Sequence, residues 1–211
     1  SSYCDLLSSG AITAGQKINV CVPTGNFGNI FAAYIAKRMG LPICRLVCAS
    51  NRNNILTDFL RTGTYDRNRR FYTTMSPSMD ILISSNLERL LYTVGGAEKT
   101  AACMRALGAD GKYTVDASVK AKIDESFLGY FCDEELTKRT IRETFDAHHY
   151  LCDTHTAVGL AAARQYIAEH GGTRKIVLAS TASPYKFAND VYSALTDKVA
   201  DDELAALSAL A

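Results

Sequence analysis

Apolar and polar positions along the chain fall into two periods, one of strands and one of helices. Ile18 to Val22 is apolar except for Asn19 and predicts a strand, and Asn29 to Met39 carries its apolar residues at helical spacing. Gly40-Leu41-Pro42 stops that helix, and Ile43 to Cys48 predicts a second strand. Strand, helix, strand in this length is a βαβ unit, which implies a right-handed crossover and a parallel sheet. Further helices are predicted over Asn54 to Arg61, closed by Gly63, and over Lys99 to Leu107, stopped by Gly108. Between them lie a polar, basic loop (Thr64 to Arg70), a short strand (Phe71 to Thr74) and a turn at Ser76-Pro77-Ser78. Ser85-Asn86-Leu87-Glu88 has capping-box form, with Ser85 as the cap of a helix running through Tyr92 to Gly95. From Lys112 to Phe131 the pattern is weak, with one short strand at Tyr113 to Val115. Asp133-Glu134-Glu135 opens a helix to about His148, and Thr154 to His170 predicts a long helix ended by Gly171-Gly172. Lys175 to Ala179 is apolar after its lysine, as in a central parallel strand buried on both faces, and Asp201 to Ala211 is an Ala-rich helix.

The expected fold class is therefore α/β: a three-layer open, mostly parallel sheet with helices on both faces. Residues 1–211 read as a single domain, with a less regular, mainly helical section at 98–150. A hydrophobic content of 47% over 211 residues suffices for one sizeable core. With 23 basic and 22 acidic side chains the net charge is +1, which steers the chain towards neither nucleic acid nor an anionic membrane. No apolar run reaches the length of a membrane span, and the expected compartment is cytoplasmic. The seven cysteines include no C-x-x-C pair and do not join the four histidines at zinc spacing, so free buried thiols are expected and no metal.

Candidate chemistry centres on Val22-Pro23-Thr24-Gly25-Asn26-Phe27-Gly28-Asn29. It joins a strand to a helix N-terminus, where backbone N–H groups lack intrahelical partners and the helix dipole favours an anion. A Walker loop would need Lys and Ser or Thr after the last glycine, but Asn29 and Ile30 stand there. A dinucleotide fold would need an acidic residue ending the next strand, which instead runs into Ala49-Ser50-Asn51. A single phosphate without a ribose fits better than a nucleotide. The alternative is that Gly25 and Gly28 merely supply a tight turn.

Four motifs, P-T-G-N-F-G-N at Pro23 to Asn29, S-P-S-M-D-I at Ser76 to Ile81 with S-S-N-L-E-R at Ser84 to Arg89, D-T-H-T-A-V at Asp153 to Val158 and S-T-A-S-P-Y-K-F at Ser180 to Phe187, together resemble threonine synthase. The resemblance covers most of the chain and implies a fold type II enzyme using pyridoxal 5'-phosphate, related to the tryptophan synthase β chain and threonine deaminase. Its reaction, a carbon–oxygen lyase step on a phosphate ester, converts O-phosphohomoserine and water into threonine and phosphate. On this reading Gly25, Asn26, Phe27, Gly28 and Asn29 cradle the cofactor phosphate. Thr181 matches the hydroxyl residue facing the pyridine nitrogen, a neutral group that does not favour protonation there. Ser76, Ser78, Ser84 and Asn86 are candidates for the substrate phosphate, with Arg67, Arg69 and Arg70 adding charge. His155, beside Asp153, is a candidate general base, but the favoured reading is a first-turn residue after an Asp153 or Thr154 cap.

One departure matters. The resemblance implies an aldimine-forming lysine well upstream of the Gly loop, where this chain has only Lys17, outside the matching motif. The chain is accordingly expected to be the larger C-terminal part of the enzyme, with the N-terminal half as its missing partner. No catalytic residue is assigned in it. Alone it should be inactive and bind the cofactor weakly and noncovalently. A non-catalytic phosphate- or pyridoxal-phosphate-binding homologue and a purely structural α/β domain remain as alternatives.

Overall fold

The computed structural model describes residues 2–210. Strands β1 (Ile18–Pro23), β2 (Ile43–Ser50), β5 (Phe127–Phe131) and β6 (Ile176–Leu178) form a parallel sheet in the order β5-β2-β1-β6. Cys21 of β1 lies opposite Val47 on one side and Leu178 on the other, and Cys48 lies opposite Gly129. Because side chains alternate across a strand, this register sends two sets of residues to two cores. Val22, Leu46, Cys48 and Phe127 pack with Ile30 and Tyr34 of α2 (Gly28–Arg38) and Leu90 of α4 (Leu87–Gly95). Cys21, Val47, Ala49 and Tyr130 pack with Val158, Ala161, Ala162 and Tyr166 of α8 (Thr154–His170). Helices thus cover both faces, which is the three-layer α/β arrangement expected.

The remaining elements surround this frame. Helix α1 (Ser2–Ser8) precedes β1, and α3 (Ile55–Thr62) is closed by Gly63 in the left-handed conformation, φ 79°. β3 (Thr64–Asp66) pairs antiparallel with β4 (Lys112–Thr114), where Tyr65 and Tyr113 stack at 5.4 Å. Helices α5 (Ala97–Asp110) and α6 (Ala117–Asp124) flank that ribbon. Helix α7 (Glu134–His148) and α9 (Ala188–Thr196) share a small core with α8 through Ile141, Ala157, Val191 and Ala194, and α10 (Glu203–Leu210) follows. Among the described residues no helix is long and apolar enough to cross a membrane.

Several expectations change. Phe71 to Thr74 is not a strand: side chains take its backbone groups, with Asn53 bonding both Tyr72 N–H and Tyr72 C=O and Asp80 accepting from Thr74 N–H. The strand lies instead at β3, inside the supposed polar loop. Ser85 does not cap α4: Asn86 precedes the helix, and no side-chain cap bond forms. Helix α5 runs through Gly108 and stops only at Gly111, whose φ of 70° supplies the left-handed end. β6 is half-buried and sits at one end of the sheet, not at its centre.

The largest omission is β5 with the preceding α6. Helix α6 carried its signal in Asp116, whose carboxylate accepts from Val119 N–H as an N-cap. β5 was hidden by its central Gly129, a poor strand residue. That glycine is needed because α3 crosses close above it: a Cβ there would lie 2.9 Å from Thr57 Cα and 3.1 Å from Thr57 O. Thr57 Oγ1 donates to Tyr130 O at 2.9 Å and Arg61 Nε to Gly129 O at 3.1 Å, so the helix cannot easily retreat. Gly129→Ala is expected to cost about 1–3 kcal/mol by overpacking. That corresponds to a melting temperature lower by about 2–12 °C for a chain this size, read by thermal unfolding.

Candidate functional site

β1 delivers the chain to the C-terminal edge of the sheet, the edge where open parallel sheets bind ligands. Thr24 is pinned there, its N–H donating to Ala49 O at 2.8 Å and its hydroxyl to Val22 O at 2.7 Å. Phe27 then turns left-handed, φ 64°, and plugs its buried ring against Phe127 at 5.5 Å. This anchor starts α2 at Gly28. Among the described residues, the N–H groups of residues 25 to 30 donate to no protein acceptor. The carbonyls of the loop are taken: Gly25 O accepts from Ser84 Oγ at 2.7 Å, and Asn26 O from Asn86 Nδ2 at 2.8 Å and Asn86 N–H at 3.2 Å. In a trans peptide C=O and N–H point opposite ways, so tying these two carbonyls aims the N–H groups of Asn26 and Phe27 to the other side. The result is a row of donors at a helix N-terminus, the arrangement that holds anions.

The two loop glycines have different reasons to be glycine. At Gly25 a Cβ would lie 2.6 Å from Ser78 O and 3.2 Å from Met79 Cα, because the 3-10 turn Pro77–Met79 packs on the loop. Gly28 meets no such demand: its φ is ordinary, and a Cβ would find only Asn86 Nδ2, at 3.5 Å.

A cleft of about 340 Å³ opens over these donors. Gly25, Asn26, Phe27, Gly28, Asn29 and Thr181 all line it. Of the four residues considered for a substrate phosphate, Ser78 and Asn86 line the cleft and Ser76 and Ser84 do not. Ser76 is fully buried, bonded to Asn51 and Thr74, and Ser84 stands behind the loop as the brace of Gly25. The three arginines lie elsewhere: Arg69 pairs with Asp58 at 2.7 Å and Arg70 sits over the Tyr72 ring at 5.2 Å, while Arg67 also lies outside the cleft lining.

Two residues given no ligand role from the sequence also line the cleft, His155 and Lys186. Asp153 caps α8 by accepting from the N–H groups of His155 and Thr156 at 2.8 and 3.1 Å. This cap fixes the imidazole, whose Nε2 accepts from Ser78 N–H at 3.3 Å. The proton of a neutral ring is thereby assigned to Nδ1, which lies 3.4 Å from Asp153 Oδ1 and 3.3 Å from Thr154 Oγ1. With both nitrogens engaged, His155 holds the Ser78 turn in place rather than offering a free base. Asp153 also accepts from Thr156 Oγ1, which contacts Ser180 Oγ at 3.1 Å and so ties the segment before Thr181 to α8. Burial pushes the Asp153 pKa up, but the hydrogen bonds from His155 and Thr156 outweigh it and hold it below the usual carboxylate value. The nearby Cys48 thiol is pushed up to about 12 by burial, and Cys21 is raised as well, so neither is a thiolate nucleophile.

Fold and site define a parallel-sheet α/β protein with an anion cradle between its first strand and first sheet-packed helix. The chain matches threonine synthases over most of its own length. Residues 156–211 match the family model described as threonine synthase, C-terminal. Human threonine synthase-like 1 is 39% identical over 201 residues, covering 94% of this chain and 27% of that protein. The PLP-bound threonine synthase from Brucella melitensis superposes with a TM-score of 0.84 at 39% identity, covering 92% of this chain and 41% of that one. Yeast threonine synthase superposes with a TM-score of 0.86 at 36% identity, covering 100% of this chain and 46% of its own. The chain thus spans less than half the length of each of these relatives.

Proposed function

We propose that this chain supplies the phosphate cradle and the ring-facing wall of a pyridoxal-phosphate-dependent threonine synthase acting on O-phosphohomoserine. The observation that carries this reading is the row of unengaged N–H groups at residues 25 to 30, in a chain whose relative from Brucella melitensis is PLP-bound. The residues fit the group. A dianionic phosphate is held by backbone donors and a helix dipole without a metal, and Gly28 leaves room for close approach that the protein itself does not use. No carboxylate lines the cleft among the described residues, so nothing there repels an anion.

Pyridoxal phosphate, when bound, supplies the electron sink for carbanion chemistry on an amino-acid substrate. The chain's own contributions are binding and orientation. Gly25 to Asn29 hold the phosphate, and Thr181 offers the pyridine nitrogen a neutral hydroxyl rather than a carboxylate. His155 and Asp153 keep the Ser78 turn and the Ser180 segment in register with the loop. No lysine of this chain matches the family's cofactor-bonding lysine, so the chain alone is expected to bind the cofactor noncovalently and to make no threonine; threonine formed by the isolated chain would overturn that part. The reading also places it in the cytosol, where its free cysteines stay reduced.

The test is a titration of pyridoxal phosphate against wild type and Gly28→Val, followed by equilibrium dialysis. The variant is expected to keep its melting temperature within about 2 °C, since a Cβ at Gly28 meets no crowding, and to bind at least about tenfold more weakly. Unchanged affinity would return Gly28 to the role of a turn residue and remove the basis of the reading.

A further inference from the structure

We propose that Lys186 is the charge partner of the substrate's phosphate, a second anion position beside the cofactor cradle. This rests on the function proposed above. Among the described residues lining the cleft, Lys186 carries the single permanent positive charge. It forms no ion pair with any described carboxylate. The side chain belongs to the 3-10 turn Pro184–Phe187, on the segment that also brings Thr181 and Ala182 to the cleft. Its Nζ lies 5.6 Å from the Phe187 ring centroid, and that ring packs on His155 at 4.7 Å. The ammonium is thus rooted in the same packed unit that fixes the Ser78 turn.

The charges in and around the cleft single out Lys186. The cofactor's phosphate has the donors of residues 25 to 30 and a helix dipole, enough for its oxygens without a cation. The substrate brings a second dianion, and stabilising it on binding and release calls for a charge-assisted donor. The arginines considered for that task lie away from the cleft: Arg69 pairs with Asp58, Arg70 sits over Tyr72, and Arg67 is outside the lining. His155 has both ring nitrogens engaged. Lys186 is what remains, on a flexible stem suited to following a phosphate from ester to free ion.

The experiment saturates the chain with pyridoxal phosphate and titrates inorganic phosphate, read by phosphorus NMR, for wild type, Lys186→Met and Lys186→Arg. Wild type is expected to bind one phosphate beyond the cofactor, with affinity falling as potassium chloride is added. Lys186→Met should weaken that phosphate at least tenfold while leaving cofactor affinity within twofold, and Lys186→Arg should recover most of the loss. The proposal is overturned if the added phosphate does not bind, if Lys186→Met leaves it unchanged, or if the loss falls on the cofactor instead. Borohydride fixing a pyridoxyl group on Lys186 would also overturn it, because the amine would then be a nucleophile and not a charge partner. If wild type takes no pyridoxal phosphate, the proposed function fails on its own account. Lys186 is then judged by phosphate alone: unchanged binding in Lys186→Met rejects it, and a tenfold loss retains it.

Discussion

Gly25→Ala is expected to weaken pyridoxal phosphate binding by at least a hundredfold and to lower stability by about 1–3 kcal/mol, the cost of overpacking a close contact. The added Cβ would sit 2.6 Å from Ser78 O and 3.2 Å from Met79 Cα, both backbone atoms. Neither can step aside cheaply. Ser78 N–H is held by His155, Met79 N–H donates to Ser76 O, and Asp80 is gripped by Asn51, Asn53 and Thr74. The loop must move instead, which breaks the Ser84 bond to Gly25 O and turns the following N–H groups off their common target. Loss of a few aligned donors to a dianion, each worth about 1.5–3 kcal/mol when charge-assisted, accounts for the size of the effect. Dialysis measures the affinity and circular dichroism the fold. The contrast with Gly28→Val is informative, since a Cβ at Gly28 meets only Asn86 Nδ2, at 3.5 Å. Wild-type affinity in a folded Gly25→Ala protein would mean that the aim of the loop does not govern binding.

How much of this was legible in the sequence follows the range over which each feature is determined. The loop was readable because everything it needs is local: an apolar strand, two glycines with asparagines, and a helix behind them. The α7 and α8 starts were readable for the same reason, Asp133 and Asp153 each capping the turn that follows. Features set by distant partners were not. Ser84 and Asn86 looked like ligand groups, and their bonds run to Gly25 and Asn26, about sixty residues away; Ser84 braces the cradle from behind, while Asn86 holds the loop and also lines the cleft. His155 looked like a first-turn residue or, less favoured, a general base, because its partner, Ser78, is 77 positions distant. Asn51 follows β2 where a nucleotide fold would place a carboxylate, and its amide serves the Thr74, Ser76 and Asp80 network instead. β5 failed for a packing reason, because the residue that admits α3 is the one that weakens the strand pattern.

Asp153→Ala is expected to destabilise the chain by about 3–4 kcal/mol, combining the loss of a helix cap with buried donors left unpaired. For a chain this size that is a fall in melting temperature of about 6–16 °C. Four donors lose their acceptor at once: two backbone N–H groups, the Thr156 hydroxyl and the Nδ1 side of His155. Asp153→Asn separates charge from geometry, since its amide oxygen still caps the helix; it should cost less. The pH dependence has a defined sign. Because the folded pKa lies below the ordinary value, near 3.9 in the unfolded chain, the carboxylate's contribution is complete above that pH. It shrinks as pH falls through 3.9 towards the folded pKa. Glu134 and Asp190 act in the opposite sense, their pKa values raised by burial, so the wild-type curve mixes both signs. The difference between wild type and Asp153→Asn isolates the one carboxylate, because Asp116 and Asp197, held down by Lys99 and Arg142, titrate alike in both proteins. Denaturant unfolding from pH 7 to pH 3 should therefore show a stability gap that is constant above about pH 5 and closes below about pH 4. A gap that widened on acidification would mean that Asp153 is not the hydrogen-bonded anion on which the Ser78 turn, and through it Gly25, depends.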